Sequence, residues 1–476
     1  MVMGELVEET EVLVIGGGPG GYAAAFRAAD LGLDVTIVDT AERPGGECLF
    51  RGCIPSKTLL YLADLISDAG RSEDMGISFG KPEIDLARIR EWKNKVIDQL
   101  TEGLVTLSKR RGVQLVQGRA VFEELGRMRI FDSDVSHIEY KNAILATGSR
   151  PKQFGDIKFK KGSRIMDSEG ALDLPDIPES LLILGGGYIA MEMGTVYASL
   201  GSRVTVAVHR DRLLRGADPD LAEPLIRRIE KNFEAVYFDT SVASLRERED
   251  GVEVKFRENR DNKNQTFSRV LIAVGREPNT GNLGLENTGI ELDDHGYIKI
   301  DRQQRTSDGH IFAVGDVAGQ PLLAHKAFRE GKVAAEVIAG LSSEFDARAI
   351  PAVVYTDPQV TWCGLTEEQA AREKINIKVE KFPWKYSGRA ISMNTQDGLT
   401  KLIIEPETGR VLGVGICGRD AEGLIAEAVL AVEMGALAED IGLSIHAHPT
   451  LTETLGEAAE RFTGTSTHIL PPKKER

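Results

Sequence analysis

The sequence predicts an α/β fold: two Rossmann-like dinucleotide-binding domains followed by a C-terminal α+β domain. Three observations carry this. A strand, a glycine turn, a helix and a second strand occur twice with the same spacing. Several further apolar strands end in a small residue and a glycine, and the glycine pattern stops after about residue 345.

The first unit is the apolar run Val12 to Ile15, then Gly16-Gly17-Gly18-Pro19-Gly20-Gly21, an Ala-rich helical stretch, and a strand at Val35 to Val38. The second is Leu181 to Leu184, Gly185-Gly186-Gly187, a helix through Met193 and Leu200, and a strand at Val204 to Val208. Asp39 lies 23 positions after Gly16, and Val208 lies 23 after Gly185, so Asp39 and Val208 are counterparts. Other strands end in Ala146-Thr147-Gly148, Ala273-Val274-Gly275 and Ala313-Val314-Gly315-Asp316, as suits loops at the carboxyl ends of parallel strands. Beyond residue 345 the pattern changes to alternating strands and a long amphipathic helix, Ala421 to Ala436.

Bulk properties exclude several classes. At 476 residues, and roughly 100 to 200 residues per domain, about three domains are expected. A composition 42% apolar and 28% charged is that of a globular protein. Apolar stretches such as Leu181 to Ala190 fall well short of the roughly 20 residues needed to span a bilayer. Met1 to Thr10 carries three glutamates and no basic residue, unlike a signal peptide, so a cytoplasmic protein is expected. A net charge of -15 argues against nucleic acid as a partner, and the basic tail Lys473 to Arg476 reads as a solvated end. Four cysteines are too few for a disulfide scaffold, and in a reducing compartment a disulfide is catalytic more often than structural.

Gly16, Gly18 and Gly21 follow a strand and open a helix whose N-H groups and dipole suit a diphosphate, and Asp39 can accept bonds from ribose hydroxyls. The second unit keeps Gly185 and Gly187 but has Ala190 at the third position. It lacks an acidic ribose reader. Val208 stands there, followed by His209, Arg210, Arg212 and Arg215, a cluster that attracts a 2'-phosphate or else merely solvates a surface turn. Two such sites imply electron transfer between two cofactors, most simply a flavin and a nicotinamide.

Cys48 and Cys53 lie soon after Asp39, among Gly45, Gly46 and Gly52. In a regular helix, residues five apart have Cα atoms roughly 8 to 9 Å apart, beyond the roughly 7 Å limit for a disulfide. The two can bridge only if the helix is distorted between them, and the glycines allow that. A metal reading is disfavoured, because C-x4-C without further ligands does not complete a tetrahedral site. Cys363 and Cys417 have no such surroundings and read as buried bystanders. Thiol chemistry at neutral pH also needs a proton acceptor, for which His446 and His448 are both candidates. Glu453 fits a second role, as the acidic member of the capping box Thr450-Leu451-Thr452-Glu453.

The motifs GGGPGG, GGECLFRGCIPSK, ATGSRP, GGGYIAMEMG, AVGREPN, FAVGDVAGQPLLAHKA, YTDPQVTWCGLTE and HAHPTLTE follow one another along essentially the whole chain. In them the sequence resembles the dihydrolipoamide dehydrogenases, a branch of the pyridine nucleotide-disulfide oxidoreductases. The resemblance implies an FAD-binding and central domain (residues 1–150 and 280–345), an NAD(P)-binding domain (151–279) and a dimer-interface domain (346–476). It implies that Cys48 exchanges with the dithiol substrate while Cys53 contacts the flavin. Lys57 and Glu192 match an ion pair beside the flavin ring, and Asp316 matches the residue bonding the ribityl chain. Ala120, Gly148 and Ala324 match positions whose backbone lines the FAD. Gly185, Gly187, Val208, His209, Arg210 and Gly275 fall at the nicotinamide dinucleotide site. Of the two histidines, the resemblance selects His448 as the base, with Glu453 orienting it across a subunit interface from the cysteines, so a homodimer is implied.

The expected activity is oxidation of protein-bound dihydrolipoyl groups through the Cys48/Cys53 disulfide and FAD to NAD, with the lipoyl domain and core of a 2-oxo acid dehydrogenase or glycine cleavage complex as partners. NADP stays open because of Val208 and the arginines. Two alternatives stand beside this: an NADPH-dependent reductase of low-molecular-weight disulfides, and a mainly structural component of a multienzyme complex. Two departures from the family pattern are Phe50-Arg51, where Asn-Val is usual, and Asp39 for the usual glutamate. A cation such as Arg51 within reach of a sulfur is expected to lower its pKa and stabilise the reduced form.

Overall fold

The computed structural model describes residues 6–257 and 264–470; Met1 to Glu5 and the basic tail Lys473 to Arg476 lie outside them. The chain divides into two compact units. The first comprises Met1–Thr58, Asp85–Ile157 and Gly275–Asp346, and the second Leu59–Ile84, Lys158–Val274 and Ala347–Arg476.

The first unit is built on a seven-stranded sheet in the order Gln114–Gln117, Val35–Asp39, Val7–Ile15, His137–Leu145, Arg127–Phe131, Arg119–Glu124, with Ile311–Ala313 also paired to His137–Leu145. Val7–Ile15 pairs in parallel with Val35–Asp39 and His137–Leu145, while the Arg119–Glu124 hairpin is antiparallel. Val12, Leu13 and Val14 are wholly buried because both sheet faces are covered, which explains why this strand reads as an unbroken apolar run. Pro19–Asp30 forms a helix because alanines dominate it and a proline opens it. It packs closely on the helix Ala324–Ile338: a Cβ on Gly331 would stand 2.3 Å from Gly20 O.

In the second unit the parallel sheet runs Ala235–Tyr237, Arg203–Ala207, Ser180–Leu184, Arg269–Ile272, Ile165–Met166. A separate antiparallel sheet runs Ala352–Val354, Gln359–Gly364, Val411–Gly418, Leu399–Ile404, Lys378–Pro383. The helices Ala421–Met434 and Glu453–Thr463 pack on it around Trp384, Leu402, Ile416 and Leu455. The first ends two residues before the expected Ala436, because Gly435 adopts φ +68° and turns the chain out of the helix. Cys363 and Cys417 lie inside this sheet; burial pushes the Cys363 thiol up to about 12 and raises Cys417 further.

Lys401, 1% exposed, holds three carboxylates together at 2.7, 2.8 and 2.7 Å: Asp218, Asp220 and Glu367. The ammonium thus sits in the one cluster of acidic groups that, among the described residues, has the spacing of metal ligands. No helix among the described residues is long and apolar enough to cross a membrane.

Candidate active site

The first glycine turn is sterically determined. Gly16 has φ +105°, and a Cβ there would stand 2.4 Å from Ala146 O; on Gly21 it would stand 1.8 Å from Gly16 O. Only glycine at both positions lets the helix Pro19–Asp30 start this close to the strand ends. Gly18 caps that helix without any side-chain bond, so the first-turn N-H groups face outward from the turn. Asp39, at the end of the next strand, accepts the N-H of Gly17 at 2.5 Å and that of Ala41 at 2.8 Å. These bonds pin its carboxylate beside the turn.

The cysteine segment is fastened to the same turn. Gly45 N-H donates to Gly17 O at 2.7 Å. Gly46 has φ +61°, and a Cβ there would stand 2.5 Å from Gly18 Cα. Cys48 lies in the short helix Gly46–Arg51, and Cys53 opens a second helix, Cys53–Arg71. The break between them falls at Gly52 (φ -140°, ψ -105°), where a side chain would crowd Glu47 O at 3.1 Å. This is the distortion that a five-residue spacing requires.

Both cysteines are partly buried free thiols here. The Cys48 thiol is held far above its ordinary range, first by its hydrogen bond with the Cys53 side chain, then by burial and by repulsion from ionised Cys53. The two thiols therefore release a first proton as a pair, and once one is ionised the other is held protonated. Lys57 opposes the shift at Cys48, and the Arg51 side chain is exposed. Tyr22, next after the turn, has its phenol raised by burial first and then by charge on Cys48 and Cys53, so it stays protonated.

Asp316 accepts Ser149 Oγ at 2.6 Å, and Ser149 is in turn held by Arg276, which donates to its Oγ and its carbonyl at 2.7 Å each. Arg276 also reaches Glu47, the neighbour of Cys48, at 3.3 Å. A buried pair, Lys326 and Glu330 at 2.8 Å, supports the same loop, with Glu330 accepting Gly315 N-H and Lys326 donating to Gly319 O. Sequence reasoning missed Tyr22, Ser149, Arg276, Lys326 and Glu330. A polar residue inside the AVGREPN and ATGSRP motifs was the available signal, but its partners are far away in sequence. Gly148 has φ +70° and accepts Asn279 N-H, Ala120 is buried in the strand Arg119–Glu124, and Ala324 starts the helix packed on Pro19–Asp30.

In the second unit Gly185 repeats the geometry of Gly16, with φ +129° and a would-be Cβ 2.2 Å from Ala273 O. Gly187 caps the helix Tyr188–Leu200 without a side-chain bond, and Ala190 is wholly buried. Gly275 has φ +128° and opens the last segment of the first unit. Glu192 is buried and its Oε1 accepts Tyr355 N-H at 3.1 Å. Lys57 belongs to the first unit and Glu192 to the second.

Glu453 stands first in the helix Glu453–Thr463, behind Thr452, rather than third behind Thr450, so the expected capping box is only half formed. Glu453 Oε1 meets His448 Nδ1 at 2.8 Å, and its Oε2 accepts Thr450 N-H at 2.8 Å. His448 is 72% exposed, so its other ring nitrogen is accessible from outside the chain. His446 is 12% exposed, and its hydrogen bond to Glu427 holds its imidazole above the usual value. It is built in; His448 is presented.

Residues 10–331 match the pyridine nucleotide-disulphide oxidoreductase family and residues 350–459 its dimerisation domain. The chain belongs to the pyridine nucleotide-disulphide oxidoreductases. Within the family it is 45% identical over 470 residues to a dihydrolipoyl dehydrogenase of Vibrio cholerae, covering 98% of both chains. It is 46% identical over 471 residues to that of Geobacillus stearothermophilus, covering 99% of this chain and 100% of the other. The crystal structure of LpdA from Mycobacterium tuberculosis is similar, with TM-score 0.87, 26% identity, and 95% and 99% of the two chains covered. So is the HOCl-induced flavoprotein disulfide reductase RclA of Escherichia coli, with TM-score 0.83, 26% identity, and 94% and 99% covered.

FAD and a nicotinamide are the cofactors of this family of oxidoreductases, and the first glycine turn fits the former. Its uncapped helix start, a turn that admits no Cβ at Gly16 or Gly21, and the carboxylates of Asp39 and Asp316 supply donors and acceptors for a diphosphate, a ribose and a polyol.

Proposed function

We propose that the chain is a dihydrolipoyl dehydrogenase that oxidises protein-bound dihydrolipoyl groups. What carries this reading is the hydrogen-bonded pair Cys48 and Cys53, fastened by Gly45 and Gly46 to the FAD-type glycine turn, in a chain similar over nearly its whole length to dihydrolipoyl dehydrogenases.

In the oxidised enzyme the two cysteines form a disulfide. A substrate thiolate attacks Cys48 sulfur, the disulfide breaks, and Cys53 leaves as the thiolate. The second substrate thiol, deprotonated, attacks the substrate sulfur of the mixed disulfide, releasing the cyclic lipoyl disulfide and the Cys48 thiolate. His448 accepts the substrate proton, with Glu453 fixing its ring through Nδ1 and leaving Nε2 as the base. The His448 imidazolium then returns that proton to the Cys48 thiolate, so the reduced pair is left as one thiol and one thiolate. FAD, when bound, supplies the two-electron path from the thiols to the nicotinamide. Asp39 and the turn Gly16 to Gly21 would hold its adenosine diphosphate part, and Asp316, kept in place by Ser149 and Arg276, would hold its ribityl chain.

The dimerisation domain supports a homodimer, and in this reading one subunit's His448 serves the other's thiols. Exposed Leu443 and Ile445, next to His448, suit a covered surface there. A cytoplasmic location and service to a 2-oxo acid dehydrogenase or glycine cleavage complex complete the reading.

The test is a panel of dihydrolipoamide and glutathione disulfide with the holoenzyme and its Cys48→Ser variant. Dihydrolipoamide should be oxidised by the wild type, and the variant should retain FAD absorbance yet lose at least about 10³-fold in rate. Full dithiol oxidation by Cys48→Ser, or faster turnover of glutathione disulfide, would overturn the assignment.

A further inference from the structure

Glu47, Ser149, Arg276 and Asp316 come from all three segments of the first unit and meet in one chain of polar contacts. Arg276 Nε donates to Ser149 Oγ and its Nη2 to the Ser149 carbonyl, each at 2.7 Å. Ser149 Oγ donates to Asp316 Oδ2 at 2.6 Å, and Arg276 Nη2 meets Glu47 Oε1 at 3.3 Å. The antiparallel pairing of the short strands Ser149–Pro151 and Arg276–Pro278 sets the guanidinium beside the hydroxyl. Only 11% of the Arg276 side chain is exposed, so water competes little for these bonds.

Donation along this chain runs one way. A guanidinium has no acceptor, so Ser149 Oγ accepts from Arg276 and spends its single proton on Asp316. That charge-assisted bond fixes Asp316 Oδ2 and leaves Oδ1 for a ligand. At the other end, Glu47 is the second residue of the helix Gly46–Arg51 and directly precedes Cys48. The helix that carries Cys48 and the acid assigned to the ribityl chain are thus joined through one cation. Its rigid planar fork is what reaches three acceptors at once; a lysine ammonium, a single point at the end of a flexible stem, does not.

We propose that Arg276 is a positioning residue for the transfer of electrons from the thiols to the flavin: held to Ser149 by two donors and to Glu47 by its ion pair, it sets the spacing between the Cys48 helix and Asp316. The inference rests on the proposed function in taking Cys48 and Cys53 as the redox pair and Asp316 as the ribityl acid.

The test is a double-mutant cycle between the two ends, Glu47→Ala and Ser149→Ala, made with Arg276 present and again in an Arg276→Met background. Each holoenzyme is read by the stopped-flow rate of flavin reduction by dihydrolipoamide and by FAD release, followed as recovery of flavin fluorescence. With Arg276 present, Glu47→Ala should speed FAD release about tenfold although it lies at the thiol end, and Ser149→Ala should slow flavin reduction about tenfold although it lies at the flavin end. The double variant should be no worse than the stronger single change, because either one opens the same chain. In Arg276→Met both defects should be present already, and Glu47→Ala should add less than about twofold. Arg276→Lys should not rescue. Glu47→Gln, which removes the charge at nearly constant shape, should shift both readings in the same direction as Glu47→Ala and serves in its place if that variant does not fold. Defects confined to their own end, additive in the double variant, or unaltered by Arg276→Met overturn the proposal. If dihydrolipoamide leaves the wild-type flavin oxidised while Glu47→Ala still speeds FAD release only when Arg276 is present, the dithiol assignment fails and the coupling through Arg276 stands.

Discussion

Replacing Gly46 by alanine disturbs the junction between the cysteines and the nucleotide turn, and its cost follows from the geometry. The new Cβ would stand 2.5 Å from Gly18 Cα, against about 3.4 Å for an ordinary contact, so one backbone must retreat by about 0.9 Å. The residue also has φ +61°, a conformation that costs a non-glycine residue roughly 1 to 2 kcal/mol. Overpacking adds roughly 1 to 3 kcal/mol. Gly46 opens the helix that carries Cys48, so the shift passes directly to the thiol, and a displacement of about 1 Å at a reacting group costs about 10²-fold in rate. Gly46→Ala should therefore lower the melting temperature, speed FAD release as followed by recovery of flavin fluorescence, and reduce kcat with dihydrolipoamide about 100-fold. Gly103→Ala is the control: it lies within the helix Leu86–Arg110 with nothing within 4 Å of its Cβ, and should gain roughly 0.5 to 1 kcal/mol. Wild-type kcat and FAD retention in Gly46→Ala would refute the idea that this contact positions the cysteines.

Three further outcomes are expected. Asp64, lining a cavity of about 420 Å³ with Arg71, Arg228 and Asp357, has its carboxyl pushed up to about 7 by burial first, then by Asp357 and Asp68, with Arg419 and Arg71 opposing. The folded chain holds this proton more tightly than the unfolded one, so the associated stability is full below about pH 4 and is lost as pH rises through 7. Melting temperature should therefore fall less between pH 5 and 8 in Asp64→Asn than in the wild type; equal slopes in calorimetry would exclude this carboxyl as the cause. Lys401→Met strands the buried Asp218 carboxylate and should cost about 3 kcal/mol in denaturant unfolding of the second unit, with less than 1 kcal/mol counting against it. Glu453→Gln keeps the Thr450 N-H bond but removes the charge behind His448, and should slow the dithiol half-reaction up to about 10²-fold while stopped-flow reduction by the nicotinamide is unchanged; a loss in both halves would point to misfolding instead.

The glycine turns were legible in the sequence because their reason is local. At Gly16 and Gly185 a positive φ and a carbonyl within 2.4 Å of any Cβ leave one residue type possible, and a strand, turn and helix announce the context. The cysteine pair was legible for a similar reason, since five-residue spacing amid glycines demands the break found at Gly52. His448 was not separable from His446 by residue type. What distinguishes them is that Glu427, 19 residues away, engages the one, whereas Glu453 holds the other and leaves it exposed.

The sequence by itself determined the two nucleotide turns, the redox pair and the missing acid at Val208, because each depends on short-range backbone geometry or on the presence of a functional group. Tertiary structure alone decided which charges are free to act. Arg212 is spent on Glu368, and Arg276 couples Ser149 to Glu47. Coulomb interactions depend on distance and burial, and residues 100 or more positions apart acquire both only when the chain has folded.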